Sequence, residues 1–159
     1  DGLLVPPFNP SRFVASEGLP ALERGPARSG RTGADCDVSA QLIVATGLDR
    51  EERERNLQLA RGQVAFYAST PAYRPVLERH GWGDLQPRLN VLSKEGKWGE
   101  MGALLSDELV DAVVVHGSPE EVGAQIRTRC AGWCDRVSPV LYAGNLELKE
   151  RLVRAIKGI

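Results

Sequence analysis

Val115-His116-Gly117-Ser118-Pro119-Glu120-Glu121-Val122, with the apolar run from Arg136 to Tyr142 behind it, reads as a sharply capped helix feeding a buried strand. The Ser118 hydroxyl is placed to accept from the backbone N–H of Glu121. The Glu121 carboxylate reaches back to the N–H of Ser118, and Pro119 suits the first helical position. Val122, Ile126 and Cys130 then recur at i, i+4, i+8 and give one apolar stripe for packing on a sheet. The unit is the closing helix-then-strand step of an α/β fold.

Upstream, Leu3-Leu4-Val5 reads as a strand stopped by Pro6-Pro7, because proline donates nothing to a ladder. A loop from Phe8 to Arg12, a short helical piece around Ser16 to Arg24 and an exposed Gly/Arg/Asp-rich linker over 25–37 follow. Val38 to Thr46 is a nearly continuous apolar run, as expected of a strand buried on both faces. Asp49, with Glu52 three residues on, caps a long helix in which Arg50/Glu54 and Glu51/Arg55 pair at i, i+4. Leu57, Ala60, Val64 and Tyr67 form its stripe down to about Ala68. Pro71 to His80, Leu85 to Lys94 and Trp98 to Leu105 read as further helices, and Ser106 caps another through Ala112. Asn145 caps a last helix, with Leu148, Leu152, Val153 and Ile156 on one face.

The order is strand, helix, strand, a long helical excursion over about 69–112, strand, helix. That alternation predicts a parallel sheet. Three strands alone would leave open edges and uncovered apolar faces. The expectation is therefore the C-terminal part, about three βα units, of a larger barrel or sheet spanning residues 1–159. The opening Asp1-Gly2-Leu3-Leu4-Val5, with no initiator Met or signal-peptide pattern, fits a piece of something longer.

Bulk composition narrows the function classes. Twenty Lys+Arg against 21 Asp+Glu, with no basic block, disfavours nucleic acid. No apolar run approaches the roughly 18–20 residues that span a bilayer. Cys36, Cys130 and Cys134 follow no disulfide framework, which suits a reducing cytoplasm. No metal-ligand cluster, Gly-rich phosphate loop or Ser/His/Asp set is present in the pattern.

Asp1-Gly2 ahead of a strand, Phe66-Tyr67-Ala68-Ser69-Thr70-Pro71-Ala72-Tyr73, His80-Gly81-Trp82 and Gly117-Ser118-Pro119-Glu120-Glu121-Val122 stand in this order along the chain. Together they resemble the C-terminal part of luciferase-like oxidoreductases, in the branch using the deazaflavin coenzyme F-420. The resemblance implies a (β/α)8 barrel of the TIM type, with the three strands as its sixth, seventh and eighth and a helical excursion before the last. It implies hydride transfer between coenzyme F-420 and an organic small-molecule substrate, with FMN-dependent monooxygenases as the alternative branch. Most cofactor-binding groups would belong to strands outside this chain. The chain alone would then be an inactive fragment or an assembly module, completed by another polypeptide or by a homo-oligomer.

Barrel sites lie at the C-terminal ends of the strands, which nominates the loops after Val5, Thr46 and Leu141. Phe8 and Arg12 are the substrate-pocket candidates in the first loop: an aromatic faces a planar ring and a guanidinium holds an anion. The alternatives are a Phe packed on its own scaffold and a solvated Arg. Free N–H groups at Gly117-Ser118 offer an anion site, unless capping uses them. His116 is a candidate proton shuttle, or a structural histidine. His80 fits a helix C-terminus. Tyr67 and Tyr73 either touch substrate or pack between helices.

Overall fold

The computed structural model describes residues 2–28 and 30–158, so Asp1 of the Asp1-Gly2 pair lies outside the described residues. The first strand, β1 (Gly2–Val5), leads into a continuous helical run of α1 (Ser11–Phe13), a π-helical turn (Val14–Gly18) and α2 (Leu19–Ala27). Next come β2 (Asp37–Thr46) and α3 (Arg50–Ser69). The excursion holds a 3-10 turn (Pro71–Tyr73), α4 (Arg74–Glu78), α5 (Leu85–Lys94), α6 (Trp98–Met101) and α7 (Asp107–Val113). A short β3 (Val115–Gly117), α8 (Pro119–Cys130), β4 (Arg136–Val140) and α9 (Leu146–Lys157) complete the chain.

All strand pairings are parallel, and β2 is common to all of them. Ala40 pairs with Val5 of β1 and also with Val137 of β4, so these two strands flank opposite edges of β2. Beyond them, Val44 to Thr46 pair with Val115 to Gly117 of β3. This fourth strand corrects the expectation of three. Three residues, one of them a glycine at φ 138°, carry no readable alternation. Their conformation comes from the tertiary ladder on β2 rather than from local preference.

Successive residues of β2 point to opposite faces and so divide the interior in two. Ile43 and Ala45 pack against α3, α4, α5 and α7 through Ala60, Val64, Ala68, Leu77, Leu89 and Leu109. Leu42 and Val44 pack with Val115 and with Val122, Ile126 and Leu152 of α8 and α9. Towards the N-terminal ends of the strands the first face opens: Leu4 of β1, in register with Ser39, is 60% exposed, and Ser138 of β4 is exposed too. A parallel sheet needs cover on both faces, so half of one face here awaits a neighbour, as in an incomplete barrel.

The helix starts follow the capping logic of the sequence. The Asp49 side chain accepts from Glu52 N at 2.7 Å, Ser106 from Leu109 N at 3.2 Å and Asn145 from Leu148 N at 2.9 Å. At α8 the box closes both ways, with Ser118 N donating to Glu121 Oε2 at 2.7 Å and Glu121 N to Ser118 Oγ at 3.3 Å. On α9, Leu148 and Leu152 are buried, but Val153 is 46% exposed and does not share their stripe. One cation ties three segments: Arg129 of α8 donates to Ala112 O at 2.8 Å, Val113 O at 3.4 Å and Asn9 O at 3.0 Å. It thereby neutralises the negative carbonyl end of α7 and anchors the loop after β1.

Two glycines test the packing with opposite signs. A Cβ at Gly123 of α8 would meet the backbone C and O of Ala155 at 2.6 Å, whereas one at Gly62 of α3 meets nothing within 4 Å. Chemical denaturation should show Gly123→Ala destabilised by about 1–3 kcal/mol through overpacking. Gly62→Ala should be stabilised by up to about 1 kcal/mol through helix propensity. Arg129→Met should cost about 1.5–3 kcal/mol, the scale of a charged hydrogen bond left unmade.

Candidate functional site

The C-terminal ends of the strands carry an aromatic group built from three segments. Proline at positions 6, 7 and 10 keeps the loop after β1 out of any ladder. Asn9 folds the loop back by donating through Nδ2 to Pro6 O at 2.6 Å and Gln41 O at 3.0 Å. That turn drives Phe8 inward, to 2% exposure. Its ring lies 5.2 Å from Tyr73 in an edge-to-face arrangement and 6.1 Å from Tyr67. Tyr67 and Tyr73 are 5.5 Å apart at 82°. Such pairs gain from quadrupole complementarity beyond the area they bury. Tyr142, just past β4, is 38% exposed and feels the charge of Tyr67 without a ring contact to the group among the described residues.

Two phenols at this end, Tyr73 and Tyr142, resist ionisation. Burial first, then the neighbouring Tyr67, raises the pKa of Tyr73, and the same two causes push Tyr142 up to about 12. Neutral hydroxyls in a partly dry mouth are donors and acceptors for a substrate, not bases at neutral pH.

Of the three long helices that start at this end, α3 and α8 use their own carboxylates at their N-termini, and α9 is capped by Asn145 Oδ1. Glu52 Oε2 accepts from Leu48 N at 2.8 Å, and Glu121 Oε2 fills the corresponding place at Ser118. These N–H groups are therefore engaged, and the capping alternative for Gly117-Ser118 is the one observed. At the C-terminal end of β2, Asn56 Nδ2 donates to Thr46 O at 2.7 Å, while Asn56 Oδ1 and Thr46 Oγ1 are buried without a partner among the described residues.

The two pocket candidates of the sequence separate. Phe8 sits within the aromatic group and is packed on it. Arg12 is exposed on α1, outside the group, and its charge acts on His80. His80 stacks on Trp82 at 4.6 Å with 9° between the rings, and burial, then Arg12, lower its pKa. His116 Nε2 lies 2.9 Å from Asp111 Oδ1, an exposed pair. Burial, reinforced by Cys134, raises the Cys130 thiol to about 11, which makes it a packing residue rather than a nucleophile. Among the described residues no three His, Cys, Asp or Glu side chains cluster as a metal site, and no helix is long and apolar enough to cross a membrane.

Sequence reasoning named Phe8, Tyr67 and Tyr73 but not Tyr142, Asn9 or Arg129. The loop after Leu141 was nominated by strand-end geometry, and an aromatic at its first position was the available signal for Tyr142.

The raised phenols give an alkaline prediction. For Tyr142 the folded pKa lies above the unfolded value near 10, so its contribution to stability is whole below about pH 10 and is lost as pH climbs towards 12. In an absorbance titration at 295 nm, the step missing from Tyr142→Phe should be the late one, near pH 12 rather than 10.

The family model for luciferase-like monooxygenases matches residues 1–134. An uncharacterised protein of Mycobacterium tuberculosis is 46% identical over 147 residues, covering 92% of this chain and 43% of that protein. The 5,10-methylenetetrahydromethanopterin reductase of Archaeoglobus fulgidus is 33% identical over 129 residues, covering 77% of this chain and 36% of the reductase. Among solved structures, the coenzyme F-420-dependent tetrahydromethanopterin reductase of Methanopyrus kandleri superposes with a TM-score of 0.71 at 24% identity, over 97% of this chain and 43% of that one. The chain thus spans less than half the length of the relatives it matches, and its sheet is part of a TIM-type barrel. With the match running through most of its residues, this chain belongs to the luciferase-like monooxygenase family.

Proposed function

We propose that this chain is the C-terminal, substrate-facing part of a deazaflavin-dependent luciferase-like oxidoreductase that moves a hydride between coenzyme F-420 and an organic substrate. The observation that carries the reading is the aromatic group of Phe8, Tyr67 and Tyr73 at the C-terminal ends of the strands, where barrel enzymes work. The kinship with a methylenetetrahydromethanopterin reductase supports the choice of cofactor. Apolar rings with un-ionised hydroxyls suit a planar organic substrate, orienting it and excluding water.

Two of the three long helices that start at the mouth do not suit the anionic tail of such a cofactor. The N-termini of α3 and α8 are filled by Glu52 and Glu121, which would repel a phosphate. Cofactor binding therefore falls mostly to other strands of a complete barrel, and the bound deazaflavin would supply the hydride chemistry.

FMN, which the monooxygenase branch of the family would use, is the competing cofactor. A second reading is that the chain by itself is a non-catalytic assembly module, completed by another chain or by a second copy. Exposure of Leu3 and Leu4, 43% and 60%, on the β1 edge favours that reading, because open parallel edges pair.

Two experiments separate these readings. Titrating a complete barrel that contains this chain with coenzyme F-420 and with FMN should give saturable binding of the deazaflavin. Binding of FMN with none of F-420 would move the protein to the flavin branch. Sedimentation of the isolated chain should show association and binding of an apolar-surface dye. A monodisperse monomer that unfolds cooperatively and binds no dye would contradict the need for completion.

A further inference from the structure

Helix α8 ends at Cys130, and the chain reverses at once. Ala131, at φ −56° and ψ 127°, and Gly132, at φ 78°, are the central residues of a type II turn, which Trp133 N closes by donating to Cys130 O at 3.4 Å. Glycine takes the second of these conformations without strain. The turn carries Cys134 back onto the apolar cluster that contains Cys130, where the two thiols hydrogen-bond to one another. Cys134 Sγ donates to Arg136 O at 2.8 Å, which leaves Cys130 as the donor between the two sulfurs. Asp135 fixes the start of β4: its N donates to Val38 O at 2.9 Å and its Oδ2 accepts from Val38 N at 2.7 Å. The thiols are thus held in contact by two packed elements, one by the end of α8 and one by the first residues of a sheet ladder.

The two thiols are not equivalent. Cys134 is half-buried and stands on the wall of a cleft of about 420 Å³ between α2 and the start of β4, with Cys36 on the same cleft. Cys130 is 7% exposed. Access from solvent therefore falls to Cys134, and Cys130, its thiol raised by burial, does not attack an external reagent. A second cause of that elevation is the Cys134 thiol itself, and this cause disappears once the Cys134 sulfur is bonded to another sulfur. Such a pair, one accessible thiol in contact with one protected thiol, has the layout of an attacking and a resolving cysteine.

We propose that Cys130 and Cys134 are a reversible dithiol–disulfide switch that reacts by exchange with a small disulfide such as glutathione disulfide. The Cys134 thiolate attacks one sulfur of the oxidant, forming a mixed disulfide and expelling one glutathione thiolate. The Cys130 thiolate then attacks the Cys134 sulfur and expels the second. One S–S bond is broken and one is made. The two cysteines lose two electrons to the oxidant, and their two protons end on the two glutathiones. Closure removes the bond from Cys134 to Arg136 O and staples the end of α8 to the β2–β4 ladder. In a reducing compartment a bond of this kind is transient, as in redox-sensing pairs.

Peptide mapping tests the proposal, because tryptic cleavage after Arg129 and Arg136 leaves both thiols in one peptide, 130–136, and Cys36 in another. The 159-residue protein is equilibrated with glutathione buffers of graded oxidised-to-reduced ratio, quenched in acid, alkylated, digested and weighed. The expected result is a 130–136 peptide that is two hydrogens lighter and takes no alkyl group, while Cys36 stays alkylated and dithiothreitol reverses the change. Because the fold holds the thiols in contact, the same exchange on urea-unfolded protein should be at least tenfold less favourable. By linkage, the oxidised protein should have the higher thermal unfolding midpoint. Cys130→Ala, if folded, should stop with glutathione on Cys134. A bond from Cys134 to Cys36, a mixed disulfide that persists in the unaltered protein, no oxidation, or equal equilibria in folded and unfolded protein would each overturn the assignment.

Discussion

A parallel strand bonded on both edges and buried on both faces constrains everything around it, and β2 is that strand. Its N-terminal half holds β1 and β4 on opposite edges, and its C-terminal end holds β3. Residues 42–45 are at most 2% exposed, so their neighbours must supply apolar surface on two sides. The chain does so with different material: α8 and α9 cover one face, and α3 and the excursion cover the upper part of the other. Arg129 joins the two systems, reaching from α8 to the carbonyl end of α7 and to the loop that carries Phe8. The placement of the aromatic group is thus a consequence of how β2 is covered.

The same geometry assigns roles at the mouth. Helices that begin at the C-terminal end of a sheet offer N–H groups to anions, yet α3 and α8 are closed by internal carboxylates, and Asn145 caps α9. What remains at the strand ends is a set of rings and neutral phenols. Such a surface shapes and dries a site rather than performing acid–base work at neutral pH. In the proposed oxidoreductase this division leaves the redox chemistry to the cofactor and substrate fit to this chain.

Much of this was legible in the sequence where one residue's chemistry dictates its neighbour's geometry. Asp49, Ser106, Ser118 and Asn145 all cap the helices expected of them, and the apolar run to Thr46 is the buried strand. Features made by tertiary contact were not legible. The strand at Val115–Gly117 exists only through β2, and the π-helical turn at Val14–Gly18 sits inside an otherwise ordinary helical run. Arg129 reads as one more surface cation until the fold brings carbonyls from 16, 17 and 120 residues away onto it. At the site, Phe8, Tyr67 and Tyr73 were readable as aromatics, but their meeting depends on the Asn9 turn. Arg12 had the right chemistry in the right loop, but α1 carries it outward.

The central claim, that β2 is the interior strand of an incomplete parallel barrel, is tested most directly by residue-resolved amide hydrogen exchange. Ladders flank both edges at Ser39 and Ala40, so the consecutive amides there should exchange only through global unfolding, while along 41–46, paired on one edge at each residue, alternate amides should do so. In β1 and β4, each bonded on one side, protection should alternate, with every second amide exchanging at least a hundredfold faster. Continuous protection along β1 and β4, equal to that of Ser39 and Ala40, would mean that both strands have further partners in this chain and would contradict the account.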